Sequence, residues 1–281
     1  MFQFGRKTRT TVLWLASLCC LLGASCRSVT PEIGELPRKH TLNAEQLVLM
    51  SDVRLPKDHD LIKDLQKLRH TVQQKLQLTS TTQEVVVYLF KDEKRYRDYL
   101  NTTYPQLPAR RAYFVGTPHE LAVYTYWGDR IQEDLRHEYT HGLLHASLRS
   151  VPLWLDEGLA EYFEVPGPET GGMNTDYVER LGVTLANGWT PDMKRLEQLE
   201  QITDMQRIDY QEAWLWVHYL LHNSPETHML LIDYLKDLSG QAEPVSLSQR
   251  LEENIPYVEE RLIGYLSGLS RGAVSTVSFE E

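Results

Sequence analysis

The chain has 281 residues, enough for one large domain or two small ones, and 42% hydrophobic with 24% charged residues is an ordinary globular composition. That excludes disorder, collagen-like structure and a polytopic membrane protein. Lys and Arg number 29 against 39 Asp and Glu, a net charge of −10, and no basic cluster interleaved with aromatics offsets it, so no nucleic-acid partner is expected.

Residues 1–25 run from Arg6, Lys7 and Arg9 through the apolar stretch Val12–Leu22 to Gly23, Ala24 and Ser25, the order of a secretory signal peptide. The apolar stretch is about a dozen residues where a spanning helix needs roughly 20, which predicts cleavage and not a permanent span. Leu22-Gly23-Ala24-Ser25-Cys26 resembles the lipobox of bacterial lipoproteins, with Gly23 where that pattern prefers Leu. The resemblance implies lipidation of Cys26 and a mature chain held at the membrane of the bacterial cell envelope by its N-terminal lipid. A soluble periplasmic or secreted form is the alternative. All three cysteines (Cys19, Cys20, Cys26) fall in this leader, so the body has no thiol to pair, although export would place it in an oxidising compartment. Residues 26–40, with Pro31, Gly34 and Pro37, read as anchor and tether, and 41–269 as the folded domain.

In the first part of that domain, about 41–128, the apolar positions Leu61, Ile62, Leu65, Leu68, Val72 and Leu76 predict an amphipathic helix over Asp58–Leu78. Glu84–Phe90 is a β-branched and aromatic run that reads as a buried strand, and Lys91–Tyr99 returns to a helical pattern. Arg111–Val115 and Leu121–Trp127 read as two more strands around the turn residues Gly116–Glu120. The expectation is a small α/β lobe with a mainly antiparallel sheet.

From about 129 to 269 the pattern is helical throughout. Asp129 with Gln132 has the spacing of a capping box, followed by Ile131, Leu135, Tyr139 and Leu143 at intervals of four. A second helix is expected from Pro152 to about Glu164, and others near Asp176–Ala186, Tyr210–Leu221, Thr227–Leu238 and Ile255–Leu266, with 270–281 as a tail. The fold class expected is therefore α+β, a sheet lobe followed by a helical lobe.

Arg136-His137-Glu138-Tyr139-Thr140-His141 contains His-Glu-x-x-His. On a helix, His137 and His141 stand one above the other and can share one Zn²⁺, with Glu138 beside them to take a proton from water. Starting 13 residues later, Trp154-Leu-Asp-Glu-Gly-Leu-Ala-Glu-Tyr162 places Glu157 and Glu161 on one face of an otherwise apolar helix. Buried carboxylates are costly unless they are paired or metal-bound, so that face calls for a cation or an imidazolium opposite.

This pair of segments is similar to the gluzincin metallopeptidases, particularly the aminopeptidase-like branch and the peptidase MA-like proteins. The resemblance implies a zincin-like fold with the His-Glu-x-x-His helix at the junction of the lobes. It also implies Glu157 as third zinc ligand, with 15 residues between it and His141, and Glu161 as the carboxylate that holds the ring N–H of a ligating histidine. Asp209-Tyr210-Gln-Glu-Ala-Trp resembles the gluzincin segment whose tyrosine binds the oxyanion, which makes Tyr210 the candidate for that role, with Glu212 and Ala213 standing where the family has Lys-Gly.

The function expected is a zinc-dependent peptidase acting on a peptide or protein substrate, with Glu138 as general base. By the same resemblance the strand before the zinc helix borders the cleft, so Tyr124, Tyr126 and Trp127 are candidate cleft residues. The family's amine-gripping Gly-x-Met-Glu-Asn is absent, which argues against strict aminopeptidase activity and leaves Glu120 as a candidate substitute. The rival from another class is an envelope-tethered binding or scaffold protein that keeps the fold without turnover.

Overall fold

A computed structural model describes residues 34–166, 172–240 and 244–277, with 272–277 as backbone only. The expected signal peptide, Cys26 and residues 27–33 of the expected tether lie outside the described residues. The elements in order are β1 (His40–Ala44), β2 (Leu47–Ser51), α1 (Asp60–Lys75), β3 (Val85–Phe90), α2 (Glu93–Thr103), β4 (Ala112–Gly116), β5 (Leu121–Tyr126), α3 (Ile131–Ser147), α4 (Leu153–Glu164), α5 (Thr175–Ala186), α6 (Met193–Glu197), α7 (Arg207–His222), α8 (Pro225–Leu238), α9 (Leu247–Asn254) and α10 (Val258–Val277). The protein is thus α+β, with a five-stranded mixed sheet and ten α-helices among the described residues. None of them is long and apolar enough to cross a membrane.

The sheet order is β1-β2-β3-β5-β4. β1 with β2 and β4 with β5 are antiparallel, whereas β2 with β3 and β3 with β5 are parallel, so the sheet is not mainly antiparallel. The difference comes from β2, which precedes α1 and so makes β2-α1-β3 a helical crossover, a connection that joins parallel strands. β5 then inserts between β3 and β4, which leaves β4 at an edge.

Period-two alternation divides the sheet residues between two cores. Leu47, Leu49, Val85, Val87, Leu121 and Val123 pack with α1, α3 and α4 in the larger one. Tyr88, Phe90, Ala122 and Tyr124 pack with Tyr96, Tyr99 and Leu100 of α2 in a smaller aromatic one. α3 lies against β4, β5 and α1 and also against α4, and α4 in turn packs on α7.

Two helix ends differ from expectation. α3 begins after Arg130 with no side-chain cap, so the expected capping box of Asp129 and Gln132 does not form. α10 extends through Val277 and so takes in most of the segment expected as a tail.

The fully buried Arg136 ties three helices together. Its guanidinium donates to Asp64 Oδ1 of α1 at 2.9 Å and to the carbonyl oxygens of Phe163 and Glu164 at 2.7 and 3.0 Å. Those carbonyls end α4 and have no partner within the helix, so the arginine closes the end of α4 and sets its distance from α3 at once.

Candidate metal centre

His137 and His141 lie one turn apart on α3, with ring centroids 5.0 Å from each other. α4 brings Glu157 against both. His137 Nε2 is 3.6 Å from Glu157 Oε2, and His141 Nε2 is 3.9 Å from Oε1. One donor atom from each of the three residues falls within 4.8 Å of the other two.

The glycine that follows each of two ligand candidates seats its helix. A Cβ on Gly142, next to His141, would stand 2.6 Å from Val85 Cγ1 of β3. A Cβ on Gly158, next to Glu157, would stand 2.7 Å from the carbonyl oxygen of Ala213 in α7. Both helices therefore reach their neighbours at a distance only glycine permits.

The ring nitrogens facing away from the convergence point meet carboxylates. His137 Nδ1 is 2.9 Å from Glu164 Oε2, and His141 Nδ1 is 2.9 Å from Asp156 Oδ1. Asp156 Oδ2 lies 3.0 Å from His145 Nε2, so His145 sits one layer further out and not at the convergence point. Glu161, expected to hold a ligand ring, instead accepts the Tyr177 hydroxyl at 2.8 Å. The physical reason is level: Arg136 fixes the last residues of α4 beside the N-terminal half of α3, which brings Glu164 and not Glu161 to the outer nitrogen of His137. Glu161 and Glu164 still form a second group of donors with that histidine.

Burial disfavours charge on both imidazoles, yet the neighbouring carboxylates of Glu157 and Glu164 hold His137 well above the usual histidine range. Asp156 and Glu157 similarly hold His141 up, at about 9, against its burial. The histidines in return drive Glu157 and Asp156 down despite burial. Glu161 goes the other way, pushed up to about 7 by burial and the nearby Glu164 charge. Glu157 Oε2 is buried without a hydrogen-bond partner. Two imidazoles, a carboxylate with an orphaned oxygen and a surplus of negative charge fit a divalent cation, and this is a donor set found at catalytic zinc.

Glu138 is half-buried beside the histidines, where its Oε2 accepts the Phe114 amide of edge strand β4 at 2.6 Å. Glu138, His137, Glu157, Glu161 and Tyr210 line one cleft of about 1120 Å³. Tyr210 stands in the first turn of α7. That turn is fixed by Arg195, which reaches Asp209 Oδ1 at 2.7 Å and the buried Glu212 at 2.9 Å. Burial and the Glu157 charge raise the pKa of the Tyr210 hydroxyl against the pull of the Arg110 guanidinium.

Four other candidates lie elsewhere. Tyr124 is buried in the aromatic core, 5.2 Å from the Tyr88 ring and 5.7 Å from Tyr99. Tyr126 leans on Tyr96 at 5.3 Å, on that same face. Trp127 meets His59, and Glu120 accepts the Tyr88 hydroxyl at 2.8 Å. None of them lines the cleft. β5 is an inner strand whose even-numbered side chains face α2, and the strand that borders the cleft is β4, through Ala112.

Sequence reasoning missed Glu164, Asp156 and Arg110. The first two had a signal, since Asp156 adjoins Glu157 and Glu164 is seven residues, two turns, beyond it. No protein-family model matches the chain, and no curated protein matches it in sequence.

Proposed function

We propose that the chain is a zinc-dependent peptidase of the gluzincin type, in which His137, His141 and Glu157 hold one Zn²⁺, Glu138 is the general base and Tyr210 serves the oxyanion. The observation that carries this reading is the convergence of three donors within 4.8 Å in a cleft that also holds the Glu138 carboxylate and the Tyr210 side chain. When bound, zinc would supply a Lewis acid that polarises the scissile carbonyl and brings the pKa of water toward about 7.

The chain's own groups supply the rest. Glu138 takes a proton from the attacking water and delivers it to the leaving amine, as a carboxylate in a partly buried cleft can. Tyr210, whose hydroxyl feels the Arg110 charge, donates its own proton to the developing oxyanion. Glu164 and Asp156 hold the outer nitrogens of the two histidines and so orient both rings. The same reading includes export and a lipid anchor at Cys26, which the intact mass of the mature N-terminus tests.

The deciding experiment separates binding from chemistry. Purified protein should carry stoichiometric zinc by elemental analysis and cleave members of a mixed peptide pool. Glu138→Gln should retain the zinc and lose the cleavage. Absence of zinc, or equal activity in the variant, sinks the proposal.

A further inference from the structure

Four arginines line the cleft, and two of them are ion-paired. Arg111 binds Asp134 through Nε and Nη2 at 2.9 and 2.7 Å, and Arg130 pairs with Glu133. Arg207 and Arg110 have no ion pair among the described residues; the Arg207 charge acts on Asp176, which Arg180 holds at 2.7 Å, whereas the Arg110 charge acts on Tyr210 and Glu157. Arg110 is exposed, lies two residues before edge strand β4 and is neighboured by aromatics: its Cζ lies 5.9 Å from the centre of the Tyr113 ring, and its charge is felt at the Tyr210 hydroxyl. Tyr113 is itself fixed by donating its hydroxyl to the Pro108 carbonyl.

A guanidinium presents five donors in a planar fork, more than its aromatic neighbours can engage, and Arg110 lines the cleft. The charge of Glu157 is felt at Arg110, which places this cation within electrostatic reach of the proposed metal ligands. The cleft lining also holds the acids Asp129, Glu161 and Glu164. An unpaired cation in such a setting selects a singly charged, planar anion, since a phosphate dianion meets stronger repulsion from the same carboxylates.

We propose that Arg110 is a specificity-determining residue that binds a carboxylate of the substrate, so that the enzyme prefers peptides carrying a carboxylate close to the scissile bond. The inference rests on the peptidase reading above. The carboxylate has two possible sources, an acidic side chain or the C-terminus of the peptide, and one experiment distinguishes them.

Zinc-loaded wild type, Arg110→Gln and Arg110→Glu are given a mixed pool of synthetic peptides, with products read by mass spectrometry. The best-cleaved peptide is then remade in isosteric pairs, one exchanging Glu or Asp for its amide and the other a free C-terminus for an amidated one. Wild type should favour the carboxylate member of one pair by about 10- to 100-fold in kcat/KM, the worth of a charged hydrogen bond. The pair that shows the preference names the source. Arg110→Gln should bring the ratio near one, and Arg110→Glu should reverse it.

Taking ratios removes any general loss from disturbing Tyr210. Equal rates for both members of both pairs in wild type overturn the inference, as does a wild-type ratio retained in Arg110→Gln. If Arg110→Gln slows both members alike with their ratio unchanged, Arg110 only positions Tyr210, and the inference again fails. In each of these cases the peptidase reading stands, whereas a zinc-loaded wild type that cleaves no peptide removes both. Unchanged thermal unfolding of the variants confirms that they are folded.

Discussion

Glu161 and Glu164 differ by three residues and by what they touch. Glu164 meets the outer nitrogen of His137 at 2.9 Å, and Asp156 meets that of His141 at the same distance, while Glu161 is engaged by Tyr177. Carboxylates behind ligating histidines fix ring orientation and raise basicity, and their loss costs about 10- to 100-fold in metal affinity. Glu164→Ala and Asp156→Ala should each weaken zinc binding by that factor, measured by competition with a chelating dye, and Glu161→Ala should weaken it less. A larger loss in Glu161→Ala would return it to the place that sequence resemblance gave it. The pairing of His137 with His141 was legible in the sequence because an interval of four on a helix fixes a shared face, whereas Glu157 came from the family resemblance alone. Which acid stands behind which ring was not, since that depends on how far α4 slides along α3, a tertiary quantity with no local signature.

At the scale of elements, α4 is positioned by one backbone approach. The Cβ of Gly158→Ala would meet the carbonyl oxygen of Ala213 at 2.7 Å, and a backbone atom cannot swing away, so α4 and α7 must separate. The Cβ of Gly142→Ala meets a valine methyl at 2.6 Å, which a side-chain adjustment relieves in part. We expect Gly158→Ala to cost about 1–3 kcal/mol in urea unfolding, the range for overpacking, and Gly142→Ala to cost less. The reverse order would mean that the α4–α7 contact is softer than its spacing indicates. The long periodic helices and the strands β3, β4 and β5 were legible within a few residues. β1 and β2 were not: their turn is Glu45-Gln46, with Glu45 at φ 57°, in place of the Asn-Gly or Asp-Gly that advertises a tight hairpin. Missing that hairpin hid the helical crossover and with it the parallel half of the sheet. Tyr124 and Tyr126 share a face by alternation, but nothing local says that this face looks toward α2.

Taken as a whole, the molecule carries a buried histidine that makes its stability depend on pH independently of the metal ligands. His218 of α7 is 5% exposed, bonded through Nδ1 to the Tyr265 hydroxyl at 2.7 Å and stacked 4.5 Å from His222. Burial, with the His222 charge, lowers its pKa to about 3. In the unfolded chain a histidine takes up its proton near pH 6.5, so between there and about 3 the unfolded state binds a proton that the folded state refuses. This contribution to stability is complete above the unfolded value and declines by about 1.4 kcal/mol per pH unit as the solution is acidified through that window. Unfolding curves from pH 7 to 4 should therefore fall less steeply for His218→Gln than for wild type, and parallel curves would count against the assignment. A different kind of dependence follows from Arg136, whose guanidinium holds α1, α3 and the last carbonyls of α4 in one place. A survey of random variants scored only for metal loss would return this position among its strongest hits, although arginine offers no atom to a cation. The parts list of such a centre and the set of positions on which it depends are different inventories, and only the first can be drawn up from donor atoms.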